Sequence, residues 1–305
     1  MPILRRLLQA DNVLAAIALV GMALIPLVEI LSRPVMGKGI ENAPVVVQHL
    51  GLVMAMCGAI AAERFGHLTS LGVLWPRFYA LGQFISAMVC GVLAWASVQL
   101  VLSEMSAEQV LAYGVPVWCV QLAMPVGFAL LGMKLGARCS ERISLQTLCA
   151  VLAPASGALV AFALDGQALP LLPSLLILLL MAVCGAPIFA VLGSLALALF
   201  WSDGLPLASI ALSHYQITVN PSLPALPLFT LAGLVMASTG AAQRLGAVFV
   251  SLFGGGKTGT VIAATVLCSC FTAFTGGSGV TILALGGLLL PLLQGVGYPK
   301  RQGIS

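Results

Sequence analysis

Charged residues are scarce in this sequence. They make up 7% of its 305 residues, against about 25% in an ordinary soluble domain, while hydrophobic residues make up 60%. So little charge excludes a soluble protein and a disordered chain. The net charge of +4 is divided among short loops, so a nucleic-acid-binding surface is excluded as well. We therefore expect most of the chain to lie in a lipid bilayer.

Motifs for catalysis and metal binding are lacking too. The sequence has no His-Glu-x-x-His, no Gly-x-Ser-x-Gly and no Cys-x-x-Cys, and we interpret its eight cysteines as small buried hydrophobic residues. Residues 254–259 match the dinucleotide-binding pattern G-x-G-x-x-G, but no strand is predicted before them and no acidic residue follows them. We therefore predict that the protein is not an enzyme and has no catalytic residue and no organic cofactor.

Five apolar segments in the first part are long enough to cross a membrane, which takes roughly 20 mostly apolar residues. They are residues 12–32, 44–62, 78–103, 115–137 and 145–164. The first follows Arg5 and Arg6, as in a signal peptide, but it is too long for a typical signal peptide and lacks an Ala-x-Ala-like cleavage site. We therefore predict an all-α, polytopic membrane protein, a helical bundle whose first span stays uncleaved.

The Lys and Arg residues between these segments predict the orientation, because cytoplasmic loops are enriched in them. Seven lie on the side of the N-terminus and two on the other side. The seven are Arg5, Arg6, Arg64, Arg77, Lys134, Arg138 and Arg142, and the two are Arg33 and Lys38. We expect a cytoplasmic N-terminus, with residues 34–43 and 104–114 outside and the fifth span ending outside at Asp165.

Two acidic residues lie near the ends of predicted spans, Glu29 in the first and Glu63 in the second. An acidic residue within a span is a candidate for function. Both are close enough to the membrane surface to reach water or to pair with Arg33 and Arg64, respectively, and we favour this structural role.

After Asp165 the pattern changes to long runs without charge. The run 170–202 would be about 50 Å long as one straight helix, against a hydrocarbon core of about 30 Å. Gly185-Ala186-Pro187 predicts a break within it, so one kinked helix or two short helices would fit. Residues 205–220 then predict an interfacial helix, with His214 as a polar surface residue rather than a ligand.

The run 258–299 is the most informative, because its 42 uncharged residues would form a helix of about 63 Å. Its middle, Phe274–Gly279, is rich in glycine and separates two arms of 17 residues, 258–274 and 280–296. An unwound segment survives at membrane depth only inside protein or beside a water-filled site. A re-entrant helical hairpin and an ordinary loop between two spans both remain open, and the lack of charge near the tip favours the hairpin.

Three motifs stand out in the first part: Ala62–Leu68 after the second segment, Gly114–Trp118 at the start of the fourth and Pro125–Phe128 within it. Together with the four spans, they resemble the small, Q-type membrane subunit of tripartite ATP-independent periplasmic (TRAP) transporters. The second part resembles the start of the large, M-type subunit of the same family. Its matching motifs are Gly185–Ile188, Leu226–Met236, Phe271–Gly279 and Gly286–Pro291, followed by Gly297-Tyr298.

The resemblance implies a natural fusion with three regions. They are a Q-type four-helix subunit at residues 1–142, a linker transmembrane helix at 143–165 and the N-terminal part of an M-type subunit at 166–305. In the family the small subunit ends inside and the large one begins outside, so a fusion needs one extra crossing. An M-type subunit should continue well beyond Ser305, so we expect a fragment or a truncated product.

The resemblance also implies secondary uptake of an organic anion, often a carboxylate, across the bacterial inner membrane, with sodium as the coupling ion. A periplasmic substrate-binding protein is the expected partner. Thr275, Gly276, Gly277 and Ser278 correspond to the tip of the family's first re-entrant hairpin, usually Ser-Gly-Ser-Ser, whose oxygens help to bind sodium. No residue is assigned to the substrate. The alternative is a non-transporting membrane scaffold, a remnant of such a fusion.

Overall fold

The computed structural model describes residues 10–70, 72, 78–239, 241–253, 256–275, 281, 285, 289, 290 and 293–297. The chain divides into two compact units, Met1–Asn220 and Pro221–Ser305. Helices account for nearly all of the regular structure in the described residues, which confirms the all-α prediction.

The first unit begins with the predicted spans, each of which is helical. They are α1 (Ala10–Met36), α2 (Ala43–Arg64), α3 (Tyr79–Ala107), α4 (Val117–Gln121) with its continuation α5 (Ala123–Ala137), and α6 (Ile143–Leu164). With α4 and α5 counted as one, these are the five helical segments among the described residues that are long and apolar enough to cross a membrane. Two short strands after α3, β1 (Val110–Ala112) and β2 (Val115–Pro116), pair in antiparallel fashion.

Helix α3 lies at the centre of this unit and packs against both α5 and α6. Glycine permits the closest approach to α6. A Cβ added at Gly91 would lie 2.0 Å from the carbonyl oxygen of Pro154, and one added at Gly157 would lie 2.0 Å from that of Met88. Backbones can approach so closely only where side chains are small, so α6, the predicted linker, is seated directly on α3.

Two short helices, α7 (Leu171–Val183) and α8 (Ile188–Ser202), occupy the long run that follows. Of the two alternatives for residues 170–202, the one with two helices is therefore correct. The chain turns between them, where Gly185 has a φ of +79°. This left-handed conformation favours glycine because glycine has no Cβ.

The α7–α8 hairpin is fastened by backbone hydrogen bonds at both ends. At its base, Leu169 N donates to the Trp201 carbonyl oxygen at a distance of 3.0 Å. At its tip, Ile188 N donates to the Thr69 carbonyl oxygen at 2.9 Å. Thr69 follows α2, so the tip reaches the side that the loop charges predict to be cytoplasmic.

Helix α9 (Ala208–Thr218) lies within the predicted residues 205–220, but its position differs from that of an interfacial helix. It begins beside the end of α6, where Leu207 N donates to Asp165 Oδ1 at 2.8 Å. Further along, the ring of His214 meets that of Phe128 edge-on, with the ring centroids 5.3 Å apart. Because Phe128 lies about half-way along the fourth span, α9 descends beside the spans instead of lying flat on the membrane surface.

The second unit contains three described helices. They are α10 (Ala225–Ser238), α11 (Ala241–Phe253) and α12 (Lys257–Thr275). Helix α12 packs against both of the others. Its buried residues Leu267 and Phe271 form a hydrophobic cluster with Leu285, which lies beyond the end of the helix.

Candidate functional site

The predicted sodium site lies at the end of α12. Thr275 is the last residue of that helix. Its side chain and the whole of Gly276, Gly277 and Ser278 lie outside the described residues. The site stays a prediction, and the described residues on either side of it show how the chain approaches and leaves the tip.

Thr281, at the start of the second arm, lies beside Thr272, near the end of the first. Their hydroxyl oxygens lie 2.8 Å apart, and Leu285 packs against the buried face of α12. At the other end, a Cβ added at Gly297 would lie 3.3 Å from Lys257 Cε, so the end of the second arm lies beside the start of the first. The two arms are therefore antiparallel, a course that is common to a re-entrant hairpin and to two spans joined by a loop.

A polar contact joins α2 to α9 within the first unit. His49, which is 5% exposed, has its Nδ1 2.8 Å from the Val45 carbonyl oxygen and its Nε2 2.7 Å from the Tyr215 hydroxyl oxygen. A carbonyl oxygen only accepts, so Nδ1 donates, and Nε2 of the neutral ring accepts from the Tyr215 hydroxyl. Because both side chains lie inside an apolar bundle, each satisfies a polar group that would otherwise be costly to bury.

The sequence patterns do not predict this contact. A histidine within a span is itself a signal, because ionisable residues there are rare and usually face the interior of the bundle. The partner of His49, however, is 166 residues away in the chain. No local pattern points to Tyr215 as that partner.

A second group of polar contacts lies where α2 and α5 end. Glu63, which is 5% exposed, has its Oε1 2.6 Å from Arg138 Nε and its Oε2 3.8 Å from Lys134 Nζ. Arg64 pairs with Asp11 of α1. The predicted pairing of Glu63 with Arg64 is therefore wrong, because consecutive residues of a helix point about 100° apart and do not face each other.

The predicted pairing of Glu29 with Arg33 is confirmed. Glu29 Oε1 lies 2.7 Å from Arg33 Nε, and the two residues are four apart on one face of α1, the spacing at which helical side chains meet. Glu29 also accepts a hydrogen bond from the backbone N–H of Ile40. Its carboxylate therefore fastens the end of α1 to the loop that follows, in agreement with a structural role.

Two family models match successive parts of the chain. "Tripartite ATP-independent periplasmic transporters, DctQ component" matches residues 22–145. "Tripartite ATP-independent periplasmic transporter, DctM component" matches residues 172–305. The order of the two matches is the order in which the Q-type and M-type motifs occur.

Curated relatives show the same similarity. The isethionate TRAP transporter permease protein DctMQ of Oleidesulfovibrio alaskensis is 29% identical over 68% of the chain and 33% of its own length. C4-dicarboxylate TRAP transporter large permease proteins DctM of Rhodobacter capsulatus and Vibrio cholerae are 30% and 33% identical over 42% and 40% of the chain. The matches cover 29% and 27% of those two proteins, so the chain spans a third or less of the length of these relatives.

Proposed function

Because this chain belongs to the tripartite ATP-independent periplasmic (TRAP) transporter family, with a DctQ-like part followed by a DctM-like part, we propose that it acts in the sodium-driven uptake of a small organic anion. The names of its relatives support this class of substrate, since a C4-dicarboxylate and isethionate are both small anions. A periplasmic binding protein delivers the substrate to the membrane component. The chain lies in the bacterial inner membrane with its N-terminus in the cytoplasm.

The observation that carries the proposal is the occurrence of both parts in one chain. The two matched regions leave residues 146–171 between them, and this interval contains most of α6. A helix that crosses the membrane there brings the chain to the outside, where the DctM-like part must start. We therefore assign α6 to the joining of the two parts, and its close packing on α3 supports that role.

Sodium coupling rests on the tip between the two arms of the second unit. Sodium is a hard cation, and such ions take oxygen ligands. In membrane transporters these oxygens come from hydroxyl groups and from carbonyls freed where a helix is interrupted. Thr275 and Ser278 offer the hydroxyls, and the glycines between them permit an unwound backbone.

Uptake by cells tests the proposal. The whole reading frame that contains this chain is expressed with its neighbouring binding protein, and accumulation of labelled succinate and of labelled isethionate is measured with external sodium or with choline in its place. We expect accumulation of at least one anion that requires both sodium and the binding protein. Accumulation that does not require sodium, or that does not require the binding protein, would contradict the proposed mechanism. Correct insertion with no uptake of any anion tested would favour the non-transporting scaffold.

A further inference from the structure

A cavity of about 360 Å³ lies between α1, α2 and α5 in the first unit. Its wall is almost entirely apolar and includes Leu14, Val53, Met56, Ile60, Val126 and Leu130. Leu14, Val126 and Leu130 are each about half exposed, so the cavity opens to the outer surface of the bundle. In a bilayer, an apolar opening of this kind suits acyl chains.

Charged groups line one end of the cavity. Three of them belong to its wall: Asp11, Arg64 and Lys134. Lys134 pairs with Glu63, and Glu63 in turn pairs with Arg138, so these two residues lie close to the wall as well. Three positive charges thus face two negative ones. The Arg64 guanidinium binds Asp11 Oδ1 through a terminal nitrogen, while Arg64 Nε and Asp11 Oδ2 are both buried and have no hydrogen-bond partner among the described residues.

Helix α1 packs on α2 but makes few contacts with α5. The space between α1 and α5 is the cavity itself, with Leu14 on one side and Leu130 on the other. An apolar slot that opens sideways suits a hydrocarbon chain, because an acyl chain that fills the slot keeps its apolar wall out of contact with water. A free anion would gain nothing from this part of the wall.

We propose that the cavity binds an anionic phospholipid from the leaflet next to Arg64 and Lys134. One acyl chain lies along Leu14, Met56 and Leu130, and the phosphate accepts hydrogen bonds from the Arg64 guanidinium and from Lys134 Nζ, whose side chains are 24% and 25% exposed. Arginine and lysine are the side chains that bind phosphate best, and basic pockets between transmembrane helices on the cytoplasmic side bind acidic headgroups. In the orientation predicted from the loop charges, this leaflet is the cytoplasmic one.

The charge contribution sets the size of the expected effect. A basic residue near an anionic headgroup changes affinity by about fivefold, the equivalent of about 1 kcal/mol. Arg64 and Lys134 already have acidic neighbours, so we expect the double variant Arg64→Gln/Lys134→Gln to lose about tenfold in affinity rather than the full product of the two effects.

The test uses the full chain, purified in detergent. Binding of phosphatidylglycerol and of phosphatidylcholine with identical acyl chains is measured by native mass spectrometry and by the shift in the thermal unfolding midpoint. Inorganic phosphate and glycerol 3-phosphate are added in separate samples to distinguish a lipid from a free anion. Lys38→Gln is the charge control, since Lys38 is exposed in the loop after α1.

A second variant tests the apolar half of the cavity. Cys57→Phe places a large ring in the wall, where Cys57 lies, and Cys119→Phe is its control because Cys119 is exposed and is not part of this wall. We expect phosphatidylglycerol to bind at least fivefold more tightly than phosphatidylcholine. The double variant should bind phosphatidylglycerol about tenfold more weakly and Cys57→Phe should lose this binding, while the controls keep it.

Three results would contradict the proposal. Equal binding of the two lipids would show that the charges of Arg64 and Lys134 do not select an anionic headgroup. Unchanged binding in the double variant would place the lipid elsewhere. Stabilisation by inorganic phosphate equal to that by phosphatidylglycerol would show that the site takes a free anion. If Cys57→Phe does not fold, the double variant and the comparison of the two lipids still decide the question.

Discussion

The Nε2 atom of His49 lies 2.7 Å from the hydroxyl oxygen of Tyr215. His49 belongs to the region that matches the DctQ component, and Tyr215 to the region that matches the DctM component. The contact therefore joins the two parts of the fusion through side chains, in addition to the peptide chain that runs through α6. It gives the two parts a fixed register, because a buried hydrogen bond tolerates little displacement.

Replacing Tyr215 by Phe removes the donor and leaves His49 Nε2 buried without a partner. We expect this to lower the free energy of unfolding by about 1–2 kcal/mol, measured by titration with SDS in mixed micelles. Tyr113→Phe is the control, because Tyr113 is 67% exposed and its hydroxyl contact, to Glu41 N, is exposed. In a cycle with His49→Phe, strictly additive effects of the two substitutions would show that the hydrogen bond does not stabilise the fold.

Gly157→Ala tests the seating of α6 on α3. The added methyl would collide with the Met88 carbonyl oxygen, and backbone atoms cannot move aside without separating the helices, so we expect a loss of about 1–3 kcal/mol of stability. Gly58→Ala is the matched control, since nothing lies within 4 Å of its added Cβ and alanine is the better helix former. Equal stability of the two variants would mean that the helices do not pack as closely as described.

Glu63→Gln leaves Arg138 and Lys134 without their acidic partner. Since Glu63 is almost completely buried, we expect its replacement to cost about 2 kcal/mol, within the range for hydrogen bonds to charged groups. Arg33→Gln is the control, because the Arg33 side chain is 73% exposed and such surface pairs contribute at most about 1 kcal/mol. A larger loss of stability in Arg33→Gln than in Glu63→Gln would contradict the conclusion that the buried ion pairs of Glu63 stabilise the fold.

The local features of the fold were predictable from the sequence. Apolar length and Lys/Arg-containing loops predict the five spans to within a few residues, and Gly185-Ala186-Pro187 predicts the break between α7 and α8. Both signals act within a single segment, so no knowledge of neighbouring segments is needed.

The tertiary contacts were not predictable in the same way. The pairing of Glu63 with Arg138 depends on which helices are neighbours, and the position of α9 beside Phe128 depends on its packing against α2 and α3. Hydrophobicity cannot separate a helix at the membrane surface from one packed among spans when its composition is mixed, as that of α9 is. For the candidate sodium site, the motif identified the tip, and the described residues on either side establish that the arms are antiparallel.

The predicted orientation can be checked by labelling single cysteines in a background without the native ones. With an inside N-terminus, cysteines at Lys38 and Glu108 should react with a membrane-impermeant maleimide added outside intact cells, and one at Glu141 only after the cells are opened. All three positions are exposed. Labelling of the Glu141 position in intact cells, with protection at Glu108, would reverse the orientation and with it the crossing assigned to α6.

Ser278→Ala tests the candidate sodium site in the whole reading frame. Removing one hydroxyl weakens an oxygen shell without disturbing the glycines, so the sodium concentration for half-maximal uptake should rise several-fold while the variant remains in the membrane. Ser269→Ala is the control, because Ser269 is exposed on α12 and lies about one and a half turns before the start of the tip. Gly276→Val should instead reduce uptake at every sodium concentration, since valine resists the backbone angles that glycine permits. If Ser278→Ala and Gly276→Val both transport with unchanged sodium dependence, the tip only connects two spans, and the ion must bind to residues elsewhere.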